Sequence, residues 1–209
     1  MKIINASYVI ESCPRGNECL QALELYGRNC YKSEDKITDA SAARFVASLI
    51  KNKHFSVLEH QSITVRLICD RGVSHELVRH RLASYSQEST RYAAYNKDKF
   101  GGEITVIRPC FWSKESVLMK WWEITCEHAE GAYLVFMKEG AKAEEARSVL
   151  PNSLKTEVVM TANLHEWRHV LTVRTAKAAH PQMREIMIPL LAEFKSRIPV
   201  VFDDIEVEL

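Results

Sequence analysis

The sequence predicts an α+β fold in one domain over residues 1–209, with a central, mainly antiparallel sheet flanked by helices, one of them long. Strand-like alternation and helical periodicity both occur, but without the regular β-α alternation of a doubly wound sheet. No Pro/Gly/Ser-rich linker, internal repeat or low-complexity segment divides the chain. The chain also lacks a G-x-G-x-x-G or Walker motif, so a Rossmann-type dinucleotide site is not predicted.

Hydrophobic periodicity and helix-breaking residues define the individual elements. We predict strands starting within residues 2–11 and over 62–67, 103–108 and 157–162, and helices over 17–29, 39–52, 74–85, 115–139, 166–175 and 182–197. Ser74 is the expected N-cap of the third helix. Pro109 ends a strand, and Gly140 ends the long helix. The apolar stripe of that helix includes Trp121 and Trp122, which we expect in the core.

Composition restricts the classes of function. The 209 residues are 46% hydrophobic and 26% charged with a net charge of +1, whereas a general nucleic-acid binder is normally far more basic. No apolar run approaches the roughly 18 residues that span a bilayer, and the N-terminus lacks a signal-peptide pattern. We therefore expect a cytoplasmic protein with neither nucleic-acid nor membrane partners. Its six cysteines form no C-x-x-C pair and are expected to be reduced.

Residues 79–91 carry the most distinctive chemistry. They read Arg-His-Arg-Leu-Ala-Ser-Tyr-Ser-Gln-Glu-Ser-Thr-Arg, so three arginines lie beside hydroxyl and amide side chains. The planar guanidinium binds phosphate oxygens bidentately, and hydroxyls or backbone N–H groups complete an anion site. A lone Arg-His-Arg is more often a solvated charged face. The further Ser-x-Arg at the end of the segment favours a site for a small phosphorylated ligand.

Arg79-His80-Arg81 followed by Ser89-Thr90-Arg91 resembles the signature of flavin-dependent thymidylate synthases. Three more segments resemble that family in the same order. Residues 54–60 look like its His-x-Ser/Thr-x-x-Glu-His segment, residues 146–151 like its Ala-Arg-x-x-Leu-Pro segment, and residues 163–174 like its C-terminal ligand-binding helix. The resemblance covers most of residues 54–174, while residues 1–50 match nothing specific.

The resemblance implies the reductive methylation of dUMP to dTMP. Methylenetetrahydrofolate would be the carbon donor, FAD the redox cofactor and NADPH the reductant, in a homotetramer whose sites are shared between subunits. The residues that would bind dUMP are Glu76, Leu77, Val78, Arg79, Gln87, Glu88, Ser89, Thr90, Arg91, Arg147 and Arg174. The residues that would bind FAD are Ser56, Arg79, His80, Arg81, Gln87, Asn163, Leu164, His165 and His169. No metal is implied.

Arg174 is the implied catalytic residue, at the edge of the uracil. A guanidinium keeps its proton at ordinary pH, so Arg174 would stabilise negative charge on uracil N3 and O2 and would not act as a base. Ser89 has no obvious dedicated base in the motif and is assigned to ligand binding. The motif contains no cysteine, which agrees with a family that does not need a covalent thiolate.

The chain departs from the common family pattern at three positions. Glu76 stands where glutamine is usual, Gln87 where glutamate is usual, and Ser86 where asparagine is common. The exchange of Glu and Gln nearly conserves the charge over the site, but it leaves the contacts of Glu76 and Gln87 open.

Two other functions fit parts of the sequence. His165-Glu166-Trp167-Arg168-His169 matches H-E-x-x-H, which on a helix would place two histidines toward zinc with the glutamate as general base of a peptidase. The extended metzincin pattern fails, because Thr172 and Thr175 stand where glycine and histidine belong. A non-enzymatic nucleotide- or RNA-binding module is disfavoured by the near-neutral charge. The flavin-dependent function also accounts for Arg147 and Arg174 and is therefore preferred.

Overall fold

Two sheets organise the chain in a computed structural model that describes residues 1–207, apart from the side chain of Lys99. The larger sheet is antiparallel, and its strand order is β2 (Ser7–Ser12), β3 (Ser62–Asp70), β6 (Lys155–Asn163) and β4 (Ala83–Gln87). In the smaller sheet, β1 (Lys2–Ile4) pairs in parallel with β5 (Thr105–Ile107). The prediction of an α+β fold with a mainly antiparallel sheet is confirmed.

Most predicted helices form near their expected positions. The helices are α1 (Gly16–Asn29), α2 (Ala42–Lys51), α3 (Arg71–Leu77), α4 (Val117–Lys138), α5 (Ala143–Ala146), α6 (Leu164–Thr175) and α7 (Pro181–Arg197). The long helix α4 begins where the Ser116 hydroxyl accepts the Met119 N–H at 3.1 Å, and it is followed by Gly140 at φ +93°. Gly140 therefore marks the end of α4 as the sequence predicts, and the Ser116 cap shows where the helix begins.

The predicted helix over residues 74–85 is correct only as far as Leu77 and wrong beyond it. The observed helix α3 has Asp70 as its N-cap, not Ser74. The Asp70 carboxylate accepts the Val73 N–H at 2.7 Å, and α3 ends at Leu77. The chain then forms strand β4, and just beyond it the Glu88 N–H donates to the Glu157 carbonyl at 2.9 Å. Pairing with a distant strand overrides the local preference, and local periodicity does not reveal that pairing.

The chain divides into two compact units. The first unit consists of residues 1–7, 67–79 and 85–159, and the second of residues 8–66, 80–84 and the chain from Met160 onward. Strands β3, β4 and β6 each contribute residues to both units. The prediction of one domain over residues 1–209 stays a prediction, and its last two residues lie outside the described part of the chain.

The core of the first unit lies under α4. Fully buried Tyr133 accepts the Tyr95 N–H at 3.2 Å, and the Trp122 indole donates to the Ser153 hydroxyl at 2.9 Å. Trp121, by contrast, is 64% exposed, so its predicted place in the core is wrong. The helix carries apolar residues on more than one face, and spacing alone does not tell which face is buried.

The core of the second unit surrounds α6. The Trp167 indole donates to the Ile63 carbonyl at 3.0 Å, and its ring packs edge-on against Phe194. Buried Arg168 donates to both carboxylate oxygens of Asp204, at 2.6 and 2.7 Å, and to the Val201 carbonyl. Through these contacts α6 packs against strand β3 and against the segment that contains Val201 and Asp204.

No helix within residues 1–207 is long and apolar enough to cross a membrane. All six cysteines are free thiols, of which Cys19, Cys69 and Cys126 are buried and Cys30 and Cys110 are exposed. Burial raises the pKa of the Cys19 thiol to about 12, so this group stays protonated at neutral pH.

Asp204→Ala should destabilise the protein, because it leaves the buried Arg168 guanidinium without its bidentate partner. We expect the free energy of unfolding in urea to fall by about 2 kcal/mol, since Asp204 is itself partly exposed. The control is Glu18→Ala, which removes an exposed pair with Arg15 and should change nothing measurable. Equal stability of the two variants would show that the Asp204 pair contributes no stability.

Candidate functional site

The segment at the start of α6 positions several predicted cofactor contacts. Strand β6 ends at Asn163, whose side-chain oxygen accepts the Glu166 N–H at 2.8 Å and caps the helix. Leu164 is fully buried and its N–H donates to the Gln61 carbonyl at 2.9 Å, so its side chain is part of the core. His165 lies 3.1 Å from a Glu59 carboxylate oxygen. The half-exposed His165 ring also packs against Phe55, with ring centroids 5.1 Å apart.

A cavity of about 420 Å³ in the second unit contains two of the predicted FAD contacts, Arg81 and Asn163. Its lining is mostly polar, and the residues that surround it are Glu59, Ser62, Arg81, Leu82, Ala83, Ser84, Thr161, Ala162 and Asn163. Ser56 is exposed on the short 3-10 helix Phe55–His60 in the same unit. This unit therefore offers a guanidinium, an amide and hydroxyls around one cavity.

His80 of the second unit lies between two other side chains of that unit, Arg174 and Glu166. The Arg174 Nε–H donates to His80 Nε2 at 3.0 Å, and on the other side of the ring Nδ1 lies 3.6 Å from a Glu166 carboxylate oxygen. His80 and Glu166 are each only 7% exposed. The His169 ring packs edge-on against the His80 ring, with centroids 5.5 Å apart. His80 therefore contacts the predicted catalytic arginine directly.

His80 is neutral in the folded protein. Burial, with smaller effects from the neighbouring Arg174 and His169, lowers the pKa of His80 from its usual 6.5 to about 4. An unprotonated Nε2 is also what the contact with Arg174 requires, since a guanidinium only donates hydrogen bonds. The ring proton consequently lies on Nδ1, which faces Glu166.

The neutral state of His80 predicts a loss of stability in acid. Its pKa is lowered to about 4 in the fold, so between about pH 6.5 and 4 the unfolded chain binds the extra proton, and the free energy of unfolding falls as the pH falls. His80→Gln removes this titration, so its stability should fall less than that of the unmodified protein. The measurement is urea unfolding at about pH 7.5 and about pH 5. An equal loss in both proteins would mean that His80 is not neutral by burial.

A cavity of about 470 Å³ lies in the first unit. Its lining includes Arg71, His75, Thr90 and Arg147, and Arg147 donates to the Thr90 hydroxyl at 3.4 Å. The Arg71 Nη1 atom is buried and has no hydrogen-bond partner among the described residues. Two guanidinium groups at one cavity favour an oxyanion such as a phosphate.

Sequence reasoning predicted Thr90 and Arg147 but missed Arg71 and His75. Both missed residues belong to α3, which precedes the Arg-His-Arg motif, and helix spacing brings their side chains to one face. Basic residues one turn apart, in a helix next to a ligand-binding motif, are the signal that could have found them.

Buried hydroxyls hold Gln87 in place. Its amide nitrogen donates to the Ser74 hydroxyl at 2.9 Å and to the Thr156 hydroxyl at 3.2 Å. Ser74 donates its own proton to the Arg71 carbonyl, so it is an acceptor for Gln87. A glutamate at this position could not donate to the Ser74 and Thr156 hydroxyls as the Gln87 amide does.

Partners within the first unit also hold Glu88. The Lys155 ammonium lies 3.0 Å from one carboxylate oxygen, and the Tyr95 hydroxyl donates to the other at 3.2 Å. Lys155 also pairs with Glu157 at 2.6 Å, and these carboxylates together raise the pKa of the lysine although burial opposes them. The Lys155 ammonium thus compensates the charge of Glu88, and the Tyr95 hydrogen bond helps to fix its carboxylate in place.

The remaining predicted contacts differ in exposure. The Ser89 hydroxyl accepts the Arg91 N–H at 3.3 Å, and the Arg91 guanidinium pairs with Glu144 at 3.3 Å. Val78 is 40% exposed, and Leu77 is buried. Glu76 is half-buried, and Arg79 is exposed at the end of this segment.

The two predicted ligand sets fall largely in different units. All predicted dUMP contacts except Arg174 belong to the first unit, and all predicted FAD contacts except Arg79 and Gln87 belong to the second. The structure brings Thr90 together with Arg147 in one unit, and His80 together with Arg174 and His169 in the other.

The residues of the H-E-x-x-H motif have other contacts. His165 pairs with Glu59, His169 packs on His80, and buried Glu166 faces His80. Within residues 1–207 no group of three or more His, Cys, Asp or Glu side chains is arranged to hold a metal ion. The motif residues therefore contact other side chains of the protein and do not form the zinc site of a peptidase.

Comparison with known proteins agrees with the motifs. Residues 15–200 match the family model described as "Thymidylate synthase complementing protein". The chain is 32% identical over 190 residues to a flavin-dependent thymidylate synthase of Geobacter sulfurreducens, covering 88% of this chain and 80% of that protein. It is 34% identical over 164 residues to the enzyme of the same name from Pyrococcus horikoshii, covering 78% and 67%. The chain belongs to the flavin-dependent thymidylate synthase family.

Membership in this family makes the chain a methyltransferase, and the prediction of that enzyme class is confirmed. A solved structure supports the fold separately. The UMP/dUMP methylase PolB from Streptomyces cacaoi, bound with 5-Br dUMP, superimposes with a TM-score of 0.77 at 22% identity, covering 97% of this chain and 96% of that one. The zinc peptidase alternative is not favoured by these relatives.

Proposed function

We propose that the protein converts dUMP to dTMP, with methylenetetrahydrofolate as carbon donor, FAD as redox cofactor and NADPH as reductant. Family membership supports dUMP as the substrate, and so does the likeness to PolB, a UMP/dUMP methylase. The observation that carries the proposal is the cavity in which Arg71 and Arg147 lie with His75 and Thr90, because such a cavity suits a nucleoside monophosphate.

In this proposal the phosphate of dUMP binds to the guanidinium groups of Arg71 and Arg147. Ser89, Thr90 and Arg91 supply further donors, and Gln87 presents its amide oxygen while buried hydrogen bonds hold its nitrogen. The Glu76, Leu77, Val78 and Arg79 segment and Glu88 complete the predicted nucleotide-binding set. Arg91 must give up its pair with Glu144 to contact the nucleotide, and an exposed pair of this kind costs little to break.

The second unit has residues that fit a flavin. Arg81 and Asn163 at the 420 Å³ cavity provide donors for polar groups of the cofactor, and Ser56, His165 and His169 lie in the same unit. When bound, FAD supplies the hydride-transfer chemistry that no side chain of the protein can provide. The chain's own contribution is binding, orientation and electrostatics.

Arg174 would polarise the uracil. Its Nε donates to His80, and its two terminal nitrogens are the groups that would donate to uracil O2 and to a deprotonated N3. Negative charge stabilised there increases the electron density of the ring, which must form a new carbon–carbon bond. A fixed guanidinium provides this stabilisation without reorganising during the reaction.

Arg174→Ala tests this assignment. The variant should keep FAD, seen by its visible absorption, and should lose dTMP formation by about 100-fold or more at saturating dUMP. Lys177→Ala, which removes an exposed cation just beyond α6, is the control and should retain normal turnover. Near-normal turnover of Arg174→Ala would remove this arginine from the mechanism. A purified protein that binds no FAD, or one that binds a stoichiometric zinc ion and cleaves peptides, would refute the whole proposal.

We also propose the homotetramer with shared sites that the family resemblance implies, located in the cytoplasm, without nucleic-acid or membrane partners. Helix α4 supports assembly, because its outer face exposes large apolar side chains that water solvates poorly. Leu118 is 56% exposed, Trp121 64%, Val135 55% and Phe136 40%. A second copy of the chain would bury this face, and large aromatic residues such as Trp121 are typical interface anchors.

Trp121→Glu should weaken the assembly, since a buried carboxylate without a partner is strongly unfavourable at an interface. We expect a smaller mass in sedimentation and a matching loss of dTMP formation, if sites are shared between subunits. Tyr31→Glu, another change of a highly exposed aromatic residue, is the control and should alter neither. An unchanged mass for Trp121→Glu would exclude this face of α4 from the interface.

A further inference from the structure

Glu166 is a buried carboxylate to which neither the nucleotide nor the flavin assignment gives a role. It is 7% exposed, and its side chain lies 3.6 Å from His80 Nδ1. Glu166 and Arg174 lie two turns apart on α6 and so share one helix face. His80 comes from a different part of the chain and bridges the two residues.

The hydrogen-bonding roles along this arrangement follow from the chemistry of each group. Arg174 Nε can only donate, so His80 Nε2 must accept, and the single proton of the neutral ring must lie on Nδ1. On that side of the ring a Glu166 carboxylate oxygen lies 3.6 Å from Nδ1, a separation slightly longer than a hydrogen bond. A carboxylate at Nδ1 stabilises the Nδ1–H tautomer over the Nε2–H tautomer, just as a carboxylate selects the tautomer of other functional histidines.

We propose that Glu166 is a positioning residue that orients Arg174 through His80. The Nδ1–H tautomer keeps Nε2 available as an acceptor for the Arg174 Nε–H, and this hydrogen bond helps to fix the direction of the guanidinium. In the Nε2–H tautomer, the N–H groups of His80 Nε2 and Arg174 Nε would point at each other, and the Arg174 side chain would turn away. This inference rests on the proposed role of Arg174 in dTMP formation.

The surroundings favour this role over simple core packing. A buried carboxylate is costly unless it has a partner, and an apolar residue would serve packing better. The Asn163 cap fixes the first turn of α6, where Glu166 lies, and neighbouring Trp167 and Arg168 are anchored in the core. Glu166 thus lies in a helical turn that these contacts hold in place, as a residue that orients another must.

Two substitutions at Glu166 separate orientation from packing. Glu166→Leu removes the carboxylate beside Nδ1, and we expect kcat for dTMP formation to fall by about 10-fold, with little change in the KM for dUMP or in the FAD content. Glu166→Gln keeps an oxygen that can accept from Nδ1, so kcat should return to within about 3-fold of the unmodified protein. Glu24→Leu, at a buried carboxylate that binds Arg28 and Ser41, is the control and should lower stability but not kcat.

The loss of kcat caused by Glu166→Leu should depend on His80. In His80→Gln the side-chain oxygen can accept from Arg174 without any tautomer to select, so adding Glu166→Leu should cause no further loss of kcat. Equal losses from Glu166→Leu in both backgrounds would overturn the proposal. So would a Glu166→Gln variant as impaired as Glu166→Leu.

A measurement on the unmodified protein makes the test independent of variants that fail to fold. Nitrogen-15 NMR of labelled histidines at about pH 7.5 distinguishes the two neutral tautomers from the imidazolium, and we expect the Nδ1–H form for His80. An Nε2–H form or an imidazolium would overturn the inference. If Arg174→Ala is fully active, the proposed function of Arg174 fails first. If Arg174→Ala is inactive and Glu166→Leu is normal, only the role of Glu166 is wrong.

Discussion

Strand β6 is the constraint on which the candidate site depends. At its first-unit end, Lys155 and Thr156 hold Glu88 and Gln87 of the nucleotide-binding motif. At its other end, Thr161 bonds to Thr64 across to β3 at 2.9 Å, and Asn163 starts α6 without a loop. Because one strand supports the motif and also begins the helix that carries Arg174, a change in its register would displace both.

The positive charge at the candidate site comes from where individual arginines lie, not from the net charge of the chain. The chain carries a net charge of only +1, yet Arg71 and Arg147 line one cavity, and Arg71 has a buried nitrogen without a partner among the described residues. The Lys155 ammonium, by contrast, is compensated by the carboxylates of Glu88 and Glu157. Burial keeps His80 neutral with its pKa near 4, so it accepts a hydrogen bond from Arg174 and does not repel it.

The H-E-x-x-H segment shows how one short pattern serves different chemistry. In a zinc peptidase the two histidines bind metal and the glutamate acts as a base. Here α6 turns Glu166 toward His80 and leaves His165 with Glu59. The pattern specifies helical spacing, but the strand or loop that packs against the helix decides what the side chains contact.

The sequence by itself determined the α+β class, most helix positions and the family, because helix signals are local and the motif residues occur at specific spacings. Tertiary structure decided that residues 83–87 form an edge strand, that Trp121 faces outward, and that Arg71 and His75 join Arg147. It also decided that Glu166 faces His80. Each of these depends on a partner distant in sequence, and local periodicity carries no information about that partner.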